Sequence, residues 1–116
     1  MIQKRHAIDL MELSFSEDAA EFARTGDYDE LGFVSAIDWI RFNCHMTSGA
    51  AADCVAVGQA LHRTPRTLEA VVVGELGFAH VSVMARTANA LKDGFDEAPL
   101  VEFAREHTPG KFHYFC

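Results

Sequence analysis

The sequence predicts an all-α fold, a compact bundle of about six helices in one domain. Three observations predict it. Apolar residues recur at three-and-four spacing in one stretch after another. Capping residues, glycines and prolines fall between those stretches. The one run that reads as a strand, Ala70-Val71-Val72-Val73, has no partner strand elsewhere in the chain.

Ile2 to Thr25 reads as a long helix. Ile8, Met11, Phe15, Ala19 and Phe22 mark its apolar face, with Asp9, Glu12, Asp18 and Glu21 largely opposite. Gly26 ends it, and residues 26–32 form a polar turn. Ser35 then caps a helix to Cys44, with Asp38 three residues on in a variant of the capping box. Ile37, Trp39, Ile40, Phe42 and Cys44 leave this helix little polar surface. It is expected at the centre of the bundle, with Trp39 as core anchor.

Thr47 or Ser48 caps the next helix, which runs to about His62. Its stripe is Ala51, Cys54, Val55, Gly58 and Leu61. A glycine inside a helix costs about 1 kcal/mol, so Gly58 is expected where two helices cross closely. Thr64-Pro65 opens a short helix with Leu68, Val71 and Val72 inward and Gly74 just past its end. Phe78 to Leu91 is amphipathic through Val81, Met84, Ala85, Ala88 and Leu91. Asp96 caps a last helix, with Pro99 in its first turn and Leu100, Phe103 and Ala104 inward. Thr108 to Cys116 reads as the cap and first turns of a further helix, so the chain is expected to be the front part of a longer architecture.

The 116 residues carry ten Lys and Arg against 17 Asp and Glu, a net charge of −7. The acids sit in the flanks, and the middle of the chain is neutral. A basic footprint for nucleic acid is therefore missing at the level of the whole domain. No apolar run approaches the roughly 18–20 residues needed to cross a bilayer. No cleavable signal peptide is visible, and a cytoplasmic location is expected. Three cysteines at irregular spacing do not form a disulfide framework, and buried thiols are expected at Cys44 and Cys54.

Ser35–Cys44 and Ser48–His62 have the lengths and short turn of a helix-turn-helix pair. The second helix of such a motif reads bases from its N-terminal part, but here that part carries no Arg or Lys. A phosphate-contacting surface would use Arg41, His62, Arg63, Arg66 and Arg86. Cys44, His45, Cys54 and His62 are zinc-ligand types at unsuitable spacing, and no metal or cofactor is expected. His80 reads as a polar packing residue between helices. The carboxylates at Glu12, Glu17, Asp18 and Glu21 read as a solvated helix face. Asp27, Asp29 and Glu30 lack the glycine and closing glutamate of a calcium loop. No catalytic constellation emerges.

One ordered set of residues resembles a known family. Gly32, Ser35, Ala36, Trp39, Thr47, Ala51, Gly74, Glu75, Leu76, Ala79 and His80 are similar to the pattern of the bacterial domain of unknown function 222. The likeness covers about Phe15 to Cys116. Members commonly carry this helical region ahead of an HNH endonuclease domain. The resemblance implies an all-helical, non-catalytic module near DNA chemistry, with DNA or a nuclease domain as partner. The nuclease motif itself is not among these residues, so no catalytic residue carries over. A self-associating module with no nucleic-acid role is the other expectation, with the long first helix and the aromatic C-terminal stretch as interfaces.

Overall fold

A computed structural model of the chain describes residues 1–107; the expected final helical segment lies outside them. The described residues form seven α-helices and no strand, which bears out the all-α bundle. The helices are α1 (Ile2–Thr25), α2 (Asp27–Glu30), α3 (Ala36–Asn43), α4 (Ser48–Ala60), α5 (Pro65–Val72), α6 (Phe78–Leu91) and α7 (Glu97–Glu106). Single 3₁₀ turns at Leu61–Arg63 and Lys92–Gly94 follow α4 and α6. The polar turn expected after Gly26 thus contains one short helix, α2.

Local chemistry sets most boundaries. Gly26 ends α1 at φ +75°, a left-handed conformation that a side chain rarely adopts. The Ser35 hydroxyl accepts from the Asp38 amide at the start of α3 (3.1 Å), and Thr47 does the same for Ala50 in α4 (3.1 Å). Pro65 occupies the first turn of α5.

The centre of the bundle is α4, not α3. Helix α4 packs against α1, α3 and α6, and Ala51, Cys54, Val55, Val57 and Ala60 are all buried. Helix α3 lies at the edge, where only Ala36 and Ile40 are buried. Trp39 is half-buried against Phe22, with ring centroids 4.7 Å apart. Phe42 is 70% exposed, and Cys44 is exposed as well. The physical reason is girth. A hub must be approached from several sides, and the slim Ala-Gly surface of α4 permits that where aromatic α3 does not.

Gly58 shows how close the approach is. A Cβ added there would lie 2.1 Å from the Ser16 carbonyl oxygen and 2.6 Å from the Ala20 Cβ. The face of α1 that meets α4 therefore carries small residues, and the buried positions of α1 are Asp9, Leu13, Ser16 and Ala19. The expected stripe is partly displaced: Met11 is 72% exposed, and Ile8 is exposed too. Val72 and Leu91, expected inward, are also exposed.

Helices α5 and α7 form a second tier. The Glu97 carboxylate accepts from the Arg66 and Thr67 amides (3.0 Å each) and from the Thr67 hydroxyl (2.7 Å). A side chain from α7 thus caps the N-terminus of α5, whose own Thr64 makes no side-chain cap.

Gly58→Ala is expected to destabilise the fold by about 1–3 kcal/mol or more, because the added methyl meets backbone that cannot rotate away. Gly49→Ala, where a Cβ meets nothing within 4 Å, is the matched control. Urea denaturation followed by circular dichroism measures both, and equal midpoints would refute the tight crossing.

Candidate interaction groove

Displacement of the α1 stripe leaves apolar side chains facing a trough. An open groove of about 1020 Å³ runs between α1, the α3–α4 turn, α4 and α6. Ala7, Ile8, Met11 and Phe15 form the α1 wall. Cys44, Met46, Ala50 and Cys54 come from the turn and from α4, and Phe78, Ala79, Ser82 and Val83 from α6. Two bases and two acids complete the lining: Arg5, Arg86, Glu12 and Asp53. Sequence reasoning missed this site because it assigned Ile8 and Met11 to the core. The available signal was the second stripe of α1, Asp9-Leu13-Ser16, offset from the first by about 100° of helix.

The charges of the groove are organised around α1. Arg5 pairs with Asp9 (2.9 Å) and lies 3.7 Å from Glu12. Asp9 is 5% exposed. A Cβ on Gly77 would lie 3.2 Å from its carboxylate, so the negative charge sits beside the N-terminus of α6. The helix dipole favours a negative charge there. Burial pushes the Glu12 carboxyl above its usual range, with Arg5 opposing the rise and Asp9 adding to it. Burial also pushes the Cys54 thiol up, against a hydrogen bond with Ser16. A buried thiol of raised pKa stays protonated at neutral pH and makes a poor nucleophile.

The five candidate nucleic-acid residues do not share one surface role. Arg41 is exposed on α3 and pairs with Asp38 at 3.3 Å. Arg63 turns inward to the end of α6. It donates to the Ala88 carbonyl (3.0 Å) and to the Lys92 carbonyl, and its guanidinium stacks 5.6 Å over the Phe95 ring. The Ala88 carbonyl also takes the Lys92 amide and the Lys92 carbonyl the Phe95 amide, so Arg63 adds a second donor to each. His62 and Arg66 are exposed near the α4–α5 connection. Arg86 is exposed on α6 and lines the groove. Helices α3 and α4 follow one another across a short turn, but α4 packs against α1, α3 and α6 and its exposed first residues, Ser48, Gly49 and Ala50, carry no base.

The other candidates have structural partners. The His80 ring accepts from the Gly77 amide through Nδ1 (3.2 Å) and meets the His107 carbonyl through Nε2 (3.2 Å). That pattern places the proton on Nε2. Glu75 pairs with Arg105 at 2.7 Å. Cys44 is exposed and Cys54 is buried, and no group of three metal-ligating side chains gathers among the described residues. The chain matches no family model, no curated protein and no solved structure.

Two outcomes follow from this geometry. Arg63→Ala is expected to cost about 2 kcal/mol, as charged hydrogen bonds to two carbonyls are lost. Arg66→Ala, an exposed change, is expected to stay within about 0.5 kcal/mol. Chemical denaturation of both variants checks the contrast, and equal losses would refute it. For Glu12, a carboxyl whose pKa is higher in the folded chain binds its proton more tightly there. Its charge therefore costs stability above the folded pKa and nothing below the unfolded one. Glu12→Gln is expected to raise the urea midpoint at pH 7 and to leave it unchanged at pH 3.5, well below the ordinary 4.5. A lower midpoint at pH 7 would show that the Arg5 contact outweighs burial.

Proposed function

We propose that this chain is a non-catalytic helical docking module that takes an amphipathic helix of a partner into the groove between α1, α4 and α6. The observation that carries this reading is the groove itself. An apolar trough of about 1020 Å³ with Ile8 and Met11 exposed on its wall is a surface whose hydration is unfavourable until something covers it. Helices laid in grooves are a recurring mode of recognition, with anchors at i, i+3, i+4 and i+7. The charged residues of the groove give such a helix its direction and register.

The resemblance gives this role a context. On that reading the module stands beside an HNH-type nuclease segment and positions it by contact between protein surfaces. The likeness rests on residues that here maintain the fold: Ala51 is fully buried, His80 bonds the start of α6, and Glu75 ties to α7. That assignment of roles supports a scaffold. Direct positioning of DNA draws less support, because net charge is −7, Arg63 is engaged with backbone carbonyls and α4 is enclosed.

Nile red, a neutral fluorophore that brightens in apolar sites, tests the reading. The folded chain is expected to bind it, and Met11→Asp is expected to abolish binding while the helical circular dichroism is unchanged. A short fluorescent DNA duplex at low salt is expected to give no anisotropy change. DNA binding that falls with salt and with Arg66→Glu, joined with no Nile red signal, would replace docking with nucleic-acid contact.

A further inference from the structure

We propose that the helix received by the groove is α1 of a second copy of this chain, so that two copies pair about a twofold axis, each α1 lying along the other's trough. The inference rests on the docking reading and names its partner. Three features of the groove select it.

The first is shape. Helix α1 has 24 residues, about 36 Å at 1.5 Å per residue. Its inner face, through Leu13 and Ser16, is occupied by α4. Its outer stripe, Ile8, Met11 and Phe15, follows the i, i+3, i+7 spacing that groove recognition reads. That stripe is both a wall of the trough and a ridge beside it. A twofold operation makes the ridge of one copy face the trough of the other, with the same residues used twice.

The second feature is charge. The groove carries Arg5 and Arg86 against Glu12 and Asp53, two of each sign. A groove for nucleic acid would be basic, and one for a strongly charged peptide would carry one sign. Arg5 and Glu12 answer each other within one copy, which leaves Arg86 of each copy to face Asp53 of the other when the surface meets its own rotated image. The remaining acids of the chain lie outside the groove and give each copy its net −7. Long-range repulsion between copies is thus screened by salt while the apolar contact is not. Association is expected to strengthen as salt rises, opposite in sign to nucleic-acid binding.

The third feature is where the exposed apolar residues fall. Ile8, Met11 and the half-buried Phe15 and Met46 cluster along this one trough, whereas Phe42 and the exposed Val72-Val73 pair lie outside it. Exposed apolar residues gathered along a trough mark an interface.

Sedimentation equilibrium of the full chain tests the proposal across micromolar to submillimolar concentration, at low and high salt. The expected mass rises from the monomer's 12.8 kDa to twice that value, at lower concentration in high salt. Met11→Asp is expected to raise the dimer dissociation constant at least about tenfold, since it buries a charge in an apolar contact. Phe42→Asp, off the groove, is expected to leave it unchanged. Arg86→Glu is expected to weaken the pair, and the double reversal Arg86→Glu with Asp53→Arg to restore it in part. Circular dichroism confirms that each variant is folded. A wild-type chain that stays monomeric throughout, or a dimer indifferent to Met11→Asp, overturns the second-copy inference. If that monomer still binds Nile red in a Met11-dependent way, the docking reading survives without it. If it does not, both fall.

Discussion

The contact between Gly58 and the Ser16 carbonyl sets the geometry of the whole bundle. Nothing larger than hydrogen fits there, so α1 and α4 approach backbone to backbone. Close approach requires small residues on both sides, and both sides have them: Ser16, Ala19 and Ala20 on α1, and Ala51, Cys54 and Gly58 on α4. The Ser16 hydroxyl, which such a seam would otherwise leave stranded, donates back to the Glu12 carbonyl at 2.8 Å. It also contacts the Cys54 thiol across the crossing. The seam is therefore satisfied as well as tight, which a buried polar group demands.

From that crossing the remaining placements follow. Because α4 is slim, α3 and α6 can also reach it, and it becomes the hub. Helix α3 is thick with aromatics and is held at the rim, where Trp39, Phe22 and Tyr28 pack ring against ring. The second tier adds polar ties to its apolar packing through Val71, Val101 and Ala104. Arg63 closes the end of α6 and Glu97 opens α5. Each ties together segments about 25 to 30 residues apart in sequence, and Glu97 also satisfies amides that the start of α5 leaves open.

Most of this fold was legible in the sequence, and what was not fails for one reason. Caps, glycine stops and the proline at Pro65 are local chemistry, and they placed the main helices well. Gly58 announced a close crossing, because a glycine inside a helix has few other uses. Which face of a helix is buried is not local. Ranking α1 by hydrophobicity selects Ile8 and Met11, yet the partner helix required small residues, so the seam took Leu13, Ser16 and Ala19. The same preference for girth over greasiness moved Trp39 to the edge. For the candidate site, the sequence supplied every residue of the groove and none of its geometry. Arg63 shows the converse limit, since no pattern in the sequence distinguishes a guanidinium aimed at phosphate from one aimed at the chain's own carbonyls.

The groove is then a consequence of how α1 divides its surface. One helix cannot offer a small-residue face to α4 and also turn its large apolar stripe inward, because the two faces lie about 100° apart. Meeting α4 at Gly58 leaves Ile8 and Met11 in water, at about 25 cal/mol for each Å² of apolar surface not removed. Neither is among the buried residues of α1, Asp9, Leu13, Ser16 and Ala19, so the crossing does not require them to be apolar. Their presence on the wall of a trough lined by balanced charges is therefore not explained by the stability of a lone copy. That apolar stripe on the wall of the trough is the feature on which the docking proposal rests.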